Sequence, residues 1–234
     1  PPVAKPVQSS LFIKIFGPPK CLDIFLRCSI GVGKCPSLIF LNFSNIPAYL
    51  CYHKGYMQDI YTGDEGKGFP LVLVHGFLCS SMMWEPQIDF FKDYFRVITP
   101  DLPGFGKNNK LKSHSSIRLM ANSVLDCLEK KKIEKFYLLG HSMGGMIVQE
   151  MARKKGDKIS KLICYSTGPV GEMPGRFETI DQSRENLKNK GLEITAKNIA
   201  RTWFVLGEKA KYFDLCLESG RKPSAETTDN ALIA

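Results

Sequence analysis

The chain has 234 residues, 44% of them hydrophobic and 24% charged, with a formal net charge of +9. That length supports one substantial core, and the composition is that of a globular rather than a disordered protein. The positive charge is scattered, with Glu129 to Lys135 and Ala152 to Lys158 reading as solvated helix ends, so no nucleic-acid partner is expected.

The chain begins "PPVAKPVQSS" without an initiator methionine and ends "TTDNALIA" without a cap or tail signal, so both ends are expected to be artificial. Residues 1–50 read as an appendage. Its apolar pieces, "SLFIKIF" and "PSLIFLNF", are broken by Pro18, Pro19, Lys20, Arg27 and Pro36, leaving no run near the roughly 20 residues a membrane span needs. The pattern also lacks the uninterrupted apolar stretch of a signal peptide. "CSIGVGKC" imitates a phosphate-binding loop, but Cys28 stands where that loop needs glycine and Cys35 where it needs a hydroxyl. The sequon at Asn42 carries no weight without a secretory context. Eight cysteines, Cys21, Cys28, Cys35, Cys51, Cys79, Cys127, Cys164 and Cys216, never form a C-x-x-C pair. A reducing compartment and a cytoplasmic location are expected.

From residue 59 a rhythm of strands and helices emerges. "FPLVLVHG" is a short apolar run ended by glycine, the pattern of a strand buried on both faces. "SSMMWEPQIDFFKD" is a candidate helix, "FRVITPD" a second buried strand, and "LPGFGKNNKLKSHS" a loop. Ser115 or Ser116 is positioned to cap "SIRLMANSVLDCLEKKK", where Ile117, Met120, Val124, Leu125 and Leu128 recur at helical spacing. "KFYLLG" is a third strand, "GGMIVQEMARKKG" a helix stopping at Gly156, and "SKLICYS" a fourth strand. Such alternation predicts an α/β fold with a mostly parallel sheet and flanking helices, since parallel neighbours need crossover connections. Beyond Thr167 the rhythm changes. "RFETIDQSRENLKNKG" and "EITAKNIARTWFVLGEKAKYFDLCLES" read as consecutive helices with no strand between them, an apparently inserted region.

The residues that point to chemistry are "LLGHSMGG", Leu138 to Gly145. Gly140 and Gly144 flank Ser142 with the G-x-S-x-G spacing of a nucleophile elbow, in which a strained strand-to-helix turn holds the hydroxyl clear of the sheet. A lone match of this kind is also found in ordinary glycine-rich turns, and the strand before, the helix after and an upstream H-G loop decide between the two. The Met143 backbone N–H, at the helix start, is a candidate oxyanion donor, and the Phe77 N–H of "HGF" is the second.

With "GKGFPLVLVHGFLCSSMMWEPQ", "YFRVITPDLPGFGKN" and "YLLGHSMGGMIVQEMA" in this order, residues 59–170 resemble the α/β-hydrolase superfamily. The resemblance implies an incomplete α/β-hydrolase core over 51–170, a helical cap or lid over 171–234, and a serine esterase or lactonase acting on a small acyl substrate through an acyl-enzyme on Ser142. It implies no cofactor and no metal; Asp101, in a tight turn, receives no catalytic role. The superfamily's order is serine, acid, histidine, yet all four histidines, His53, His75, His114 and His141, precede Ser142. His75 and His141 sit where such residues brace loops, and Glu172 is a candidate acid that reads better as a surface carboxylate. The expectation is therefore a hydrolase truncated at its C-terminal side and impaired for want of acid and base, with a non-catalytic binding protein as the alternative. The oligomeric state is not legible.

Overall fold

Short apolar runs bury both faces of a strand, and in the computed structural model they build the middle of a five-stranded sheet. The structure describes residues 59–172, 176 and 178–234. The readings made on residues 1–50, on Cys51 and on His53 lie outside the described residues. Strands β1 (Thr62–Glu65), β2 (Pro70–Val74), β3 (Arg96–Pro100), β4 (Phe136–His141) and β5 (Ile159–Tyr165) are ordered β1-β3-β2-β4-β5. The last four are parallel, and β1 runs antiparallel to β3 at one edge.

Alternation of side chains sorts the core onto two faces. Val72, Val74, Ile98 and Leu138 point to one side, where α2 (Ile117–Lys130) and α3 (Met143–Lys155) bring Met120, Val124, Ile147, Val148 and Met151. Leu71, Leu73 and Val97 point to the other, against Trp84 and α1 (Glu85–Phe91). Burying a Leu, Ile or Met side chain contributes about 1.5–3 kcal/mol, so this two-sided core holds the sheet.

Past β5, helices α4 (Ile180–Trp203), α5 (Phe213–Arg221) and α6 (Ala225–Ile233) follow without a strand. Thr179 and Gln182 form a reciprocal capping box at the start of α4. The three helices fold back onto the core. Leu78 packs among Ala196, Ile199, Phe213 and Leu217, Ser80 and Ser219 share a hydrogen bond at 2.8 Å, and Ala231 joins the α2–α3 core. Arg184 grips Asp229 with two hydrogen bonds of 2.6 and 3.1 Å, tying α4 to α6.

Several local expectations are corrected. β1 was not anticipated: "TGDE" carries no apolar alternation, and its strand form comes from pairing with β3 and from the Arg96 fork on Asp64 at 2.7 Å. Ser116 stands at the N-cap of α2, but its side chain makes no capping bond. Gly156 ends α3 in right-handed geometry (φ −59°) and runs into a 3₁₀ turn instead of a left-handed cap. The stretch 193–219 is not one helix: Phe204 is extended and Gly207 has φ 52°. Helix α6, not marked from the sequence, starts at an N-cap in which the Ser224 hydroxyl accepts from the Thr227 N–H at 3.0 Å. Among the described residues, no helix is long and apolar enough to cross a membrane.

Candidate active site

Ser142 closes the turn between β4 and α3 with φ 55° and ψ −121°, in the left-handed half of backbone space that non-glycine residues avoid. Hydrogen bonds to its backbone hold it there. The Ser142 N–H donates to the Tyr165 carbonyl at 3.0 Å, and the Ser142 carbonyl accepts from the Thr167 hydroxyl at 2.6 Å and from the Gly145 N–H at 2.8 Å. Strain of this kind costs about 1–3 kcal/mol and persists only where neighbours over-determine it. The Ser142 hydroxyl itself has no hydrogen-bond partner among the described residues.

The flanking glycines answer to space. A Cβ on Gly140 would strike the Gly144 backbone, and one on Gly144 would strike the carbonyl oxygens of Val74 and His75. One on Gly145 would strike the Thr167 side chain. A Cβ on Gly76 would lie 3.1 Å from the Ser142 Cβ and 3.0 Å from the His141 carbonyl oxygen, so the 75–77 loop rests directly on the serine turn. Phe77 follows, half-buried between the main core and the α4–α5 cluster. Neither the Phe77 nor the Met143 N–H has an acceptor among the described residues. Ser142, Met143, Gly140, Gly144 and the Phe77 loop are thus gathered at one point, at the N-terminus of a 13-residue helix whose dipole favours negative charge.

The histidines are differently employed. Leu102 N–H donates to His75 Nε2 at 3.0 Å, leaving the proton on Nδ1, which donates to the Gly76 carbonyl at 2.9 Å. His75 is fully buried, and burial pushes its pKa down, so it is a neutral brace joining the loop after β2 to the loop after β3. His141 lies edge-on to Trp84, with ring centres 6.5 Å apart, and 5.5 Å from the Tyr165 ring. Its Nδ1 is buried without a partner, and burial, aided by His75, pushes its pKa down to about 4. His114 instead faces Ser123 on α2 at 3.0 Å, with burial lowering its pKa.

The carboxylates are equally committed. Asp101 accepts from the Ser81 N–H at 2.6 Å and the Lys107 N–H at 2.8 Å, and Asn108 bridges its carbonyl to Tyr61. Glu172 accepts from the Ile180 N–H at 3.3 Å, an exposed contact at the start of α4. No His, Cys, Asp or Glu cluster among the described residues could hold a metal ion. Sequence reasoning missed Tyr165 and Thr167, which anchor the serine turn; the one available signal was their position at the end of the neighbouring strand.

The model of the alpha/beta hydrolase fold family matches residues 70–224. A hydrolase of (E)-2-((N-methylformamido)methylene)succinate from Acinetobacter baylyi is 28% identical over 148 residues, 63% of this chain and 55% of that one. A pimeloyl-[acyl-carrier protein] methyl ester esterase of Legionella pneumophila is 33% identical over 144 residues, 60% of this chain and 57% of its own. A thermophilic esterase from Thermogutta terrifontis superposes with a TM-score of 0.59 at 27% identity, covering 73% of this chain and 66% of that one. The chain spans about half the length of the curated relatives it matches.

Proposed function

The chain belongs to the α/β-hydrolase family, and from that premise we propose that its chemistry is acyl transfer from an ester, lactone or related acyl substrate to Ser142. The observation that carries this reading is the unpartnered Ser142 hydroxyl on a left-handed turn at the start of α3, with the 75–77 loop resting on that turn. Attack of Ser142 Oγ on the substrate carbonyl would put negative charge on the carbonyl oxygen. The Phe77 and Met143 N–H groups and the α3 dipole would stabilise that charge without side-chain rearrangement, each aligned donor contributing on the order of 3 kcal/mol. Expulsion of the alcohol leaves an acyl-enzyme for water to release. Related esterases and hydrolases support this class. Helices α4–α6 serve in this reading as a cap over Phe77 and Leu78, following a core that ends near residue 170. A reducing, cytoplasmic setting agrees with Cys79, Cys127, Cys164 and Cys216 being free thiols, Cys164 pushed by burial up to about 11.

Among the described residues, no histidine is hydrogen-bonded to the Ser142 hydroxyl. Residues 143–234 contain no histidine, His75 has both nitrogens committed to backbone, and His114 faces α2. Without a histidine supplied to Ser142, these residues would act as an impaired hydrolase, since losing the histidine of a serine hydrolase costs on the order of 10⁶ in kcat. A second reading, a binding protein that keeps the fold, is favoured by the commitment of His75 and His114 to other partners. A fluorophosphonate probe and p-nitrophenyl acetate separate them. The enzyme reading expects slow labelling and weak turnover, both abolished in Ser142→Ala. Absence of any labelling above the Ser142→Ala background supports the binding reading, and fast Ser142-dependent turnover would mean that a base does reach Ser142.

A further inference from the structure

The turn between α4 and α5 exposes apolar side chains that its own backbone aims outward. Phe204 is extended (φ −121°, ψ 131°), so side chains on either side of it point away from it. Phe204 turns inward, its ring 6.1 Å from that of Phe213. Trp203 and Val205 go the other way, and four large side chains of the turn are exposed: Val205 92%, Leu206 69%, and Trp203 and Tyr212 40% each. Single exposed apolar residues are ordinary, but four large ones within ten residues form a patch. The turn is firmly held. The Gly207 N–H donates to the Phe204 carbonyl at 3.0 Å, and Glu208 is clasped by Arg201 and by Lys197.

Cations outnumber carboxylates at this tip. Lys197, Arg201, Lys209 and Lys211 face a single carboxylate, Glu208, across residues 197–212. Arg201 and Lys197 are spent on Glu208, while Lys209 and Lys211 have no carboxylate partner among the described residues, and the Lys211 ammonium lies 4.9 Å from the Tyr212 ring centre. Tryptophan and tyrosine beside aliphatic side chains, accompanied by lysines without carboxylate partners, match the chemistry of a bilayer boundary: apolar tips enter below the headgroups while ammonium groups meet anionic phosphates. We propose that the Trp203–Tyr212 turn docks this protein onto an anionic lipid surface. The charge complementarity commits the patch to that occupant, because an uncharged apolar partner would leave Lys209 and Lys211 unused.

The test mixes the full chain with phosphatidylcholine vesicles with and without phosphatidylglycerol, and reads co-sedimentation and tryptophan emission. The sequence has two tryptophans, and Trp84 is 5% exposed, so a blue shift reports Trp203. Wild type is expected to sediment with the anionic vesicles, with a blue shift that Trp203→Phe removes and that salt weakens. Val205→Asp with Leu206→Asp, and separately Lys209→Glu with Lys211→Glu, should each lower the bound fraction at least about tenfold. Because these side chains are exposed, the variants should melt as wild type does, and the wild-type emission needs no variant. Failure of wild type to sediment, equal binding to both vesicle types, or unchanged binding by both double variants would overturn the proposal. So would conversion of a dimer to a monomer by the Val205/Leu206 variant in light scattering, which would assign the patch to a second copy.

Discussion

His141 is where a single side chain carries a measurable cost. The fold keeps it neutral between Trp84 and Tyr165, with a pKa of about 4 set first by burial, whereas in the unfolded chain it titrates near 6.5. The unfolded state therefore takes up a proton that the folded state refuses, and stability falls as pH drops from about 6.5 toward 4. The full effect is on the order of 3 kcal/mol. Burial lowers the pKa of His75 as well, which adds in the same direction. Asp64, Glu150 and Asp229 are all depressed by arginine hydrogen bonds, so their stabilisation is lost only below the ordinary carboxylate range. Urea midpoints at pH 7 and pH 5 should consequently differ less in His141→Asn than in wild type; equal differences would remove His141 from the account. At this scale the placement of Ser142, Gly140, Gly144 and His75 in the fold was legible, because a motif ties residue type to position there. Tyr165 and Thr167 were not readable, because they act on Ser142 through strand register, and no single sequence displays the pairing of β4 with β5.

Among the elements, α4 owes its shape to one glycine. Gly191 has φ 77° and ψ 169°, a region open essentially to glycine alone, and it breaks α4 into two helical pieces. A Cβ there would meet nothing within 4 Å, so substitution strains only the backbone. Gly191→Ala should lower stability by about 1–3 kcal/mol in urea titration, with faster hydrogen exchange over 180–190. A gain in helical circular dichroism without loss of stability would instead mean that the break straightens into one continuous helix. The glycine was legible as a helix end in the sequence, as were the four apolar strands and α2. The break at Phe204 was hidden because aromatic and aliphatic residues continue a helix-like spacing through the turn, and β1 because its residues gain strand form only from their neighbour. Helix α6 was hidden for a third reason: "TTDN" is poor helix composition, outweighed by the Ser224 cap and by burial of Thr228, Ala231 and Leu232.

For the molecule as a whole, the consequential feature is the outer edge of the sheet. β5 pairs with β4 on one side, and among the described residues no strand pairs with its other side. α3 covers the face that carries Leu162 and Cys164, while Ile163 lies in register with Leu139 on the opposite face and stays half-buried. Phe90 and Tyr94, on and after α1, are exposed. Unpaired N–H and C=O groups beside apolar side chains are a template for another strand, so concentration-dependent self-association is expected in light scattering. Ile163→Lys should weaken it several-fold, since like charges opposed across a strand pair cost up to about 1 kcal/mol, provided the thermal melt shows that the fold survives. Salt separates this edge from the α4–α5 tip. With a net charge of +9, copies of the chain repel one another, and screening that repulsion should strengthen edge association. The same salt should weaken attachment to anionic vesicles, where the lysines attract. Self-association that fell with salt, or that ignored Ile163→Lys, would mean that copies meet through some surface other than β5.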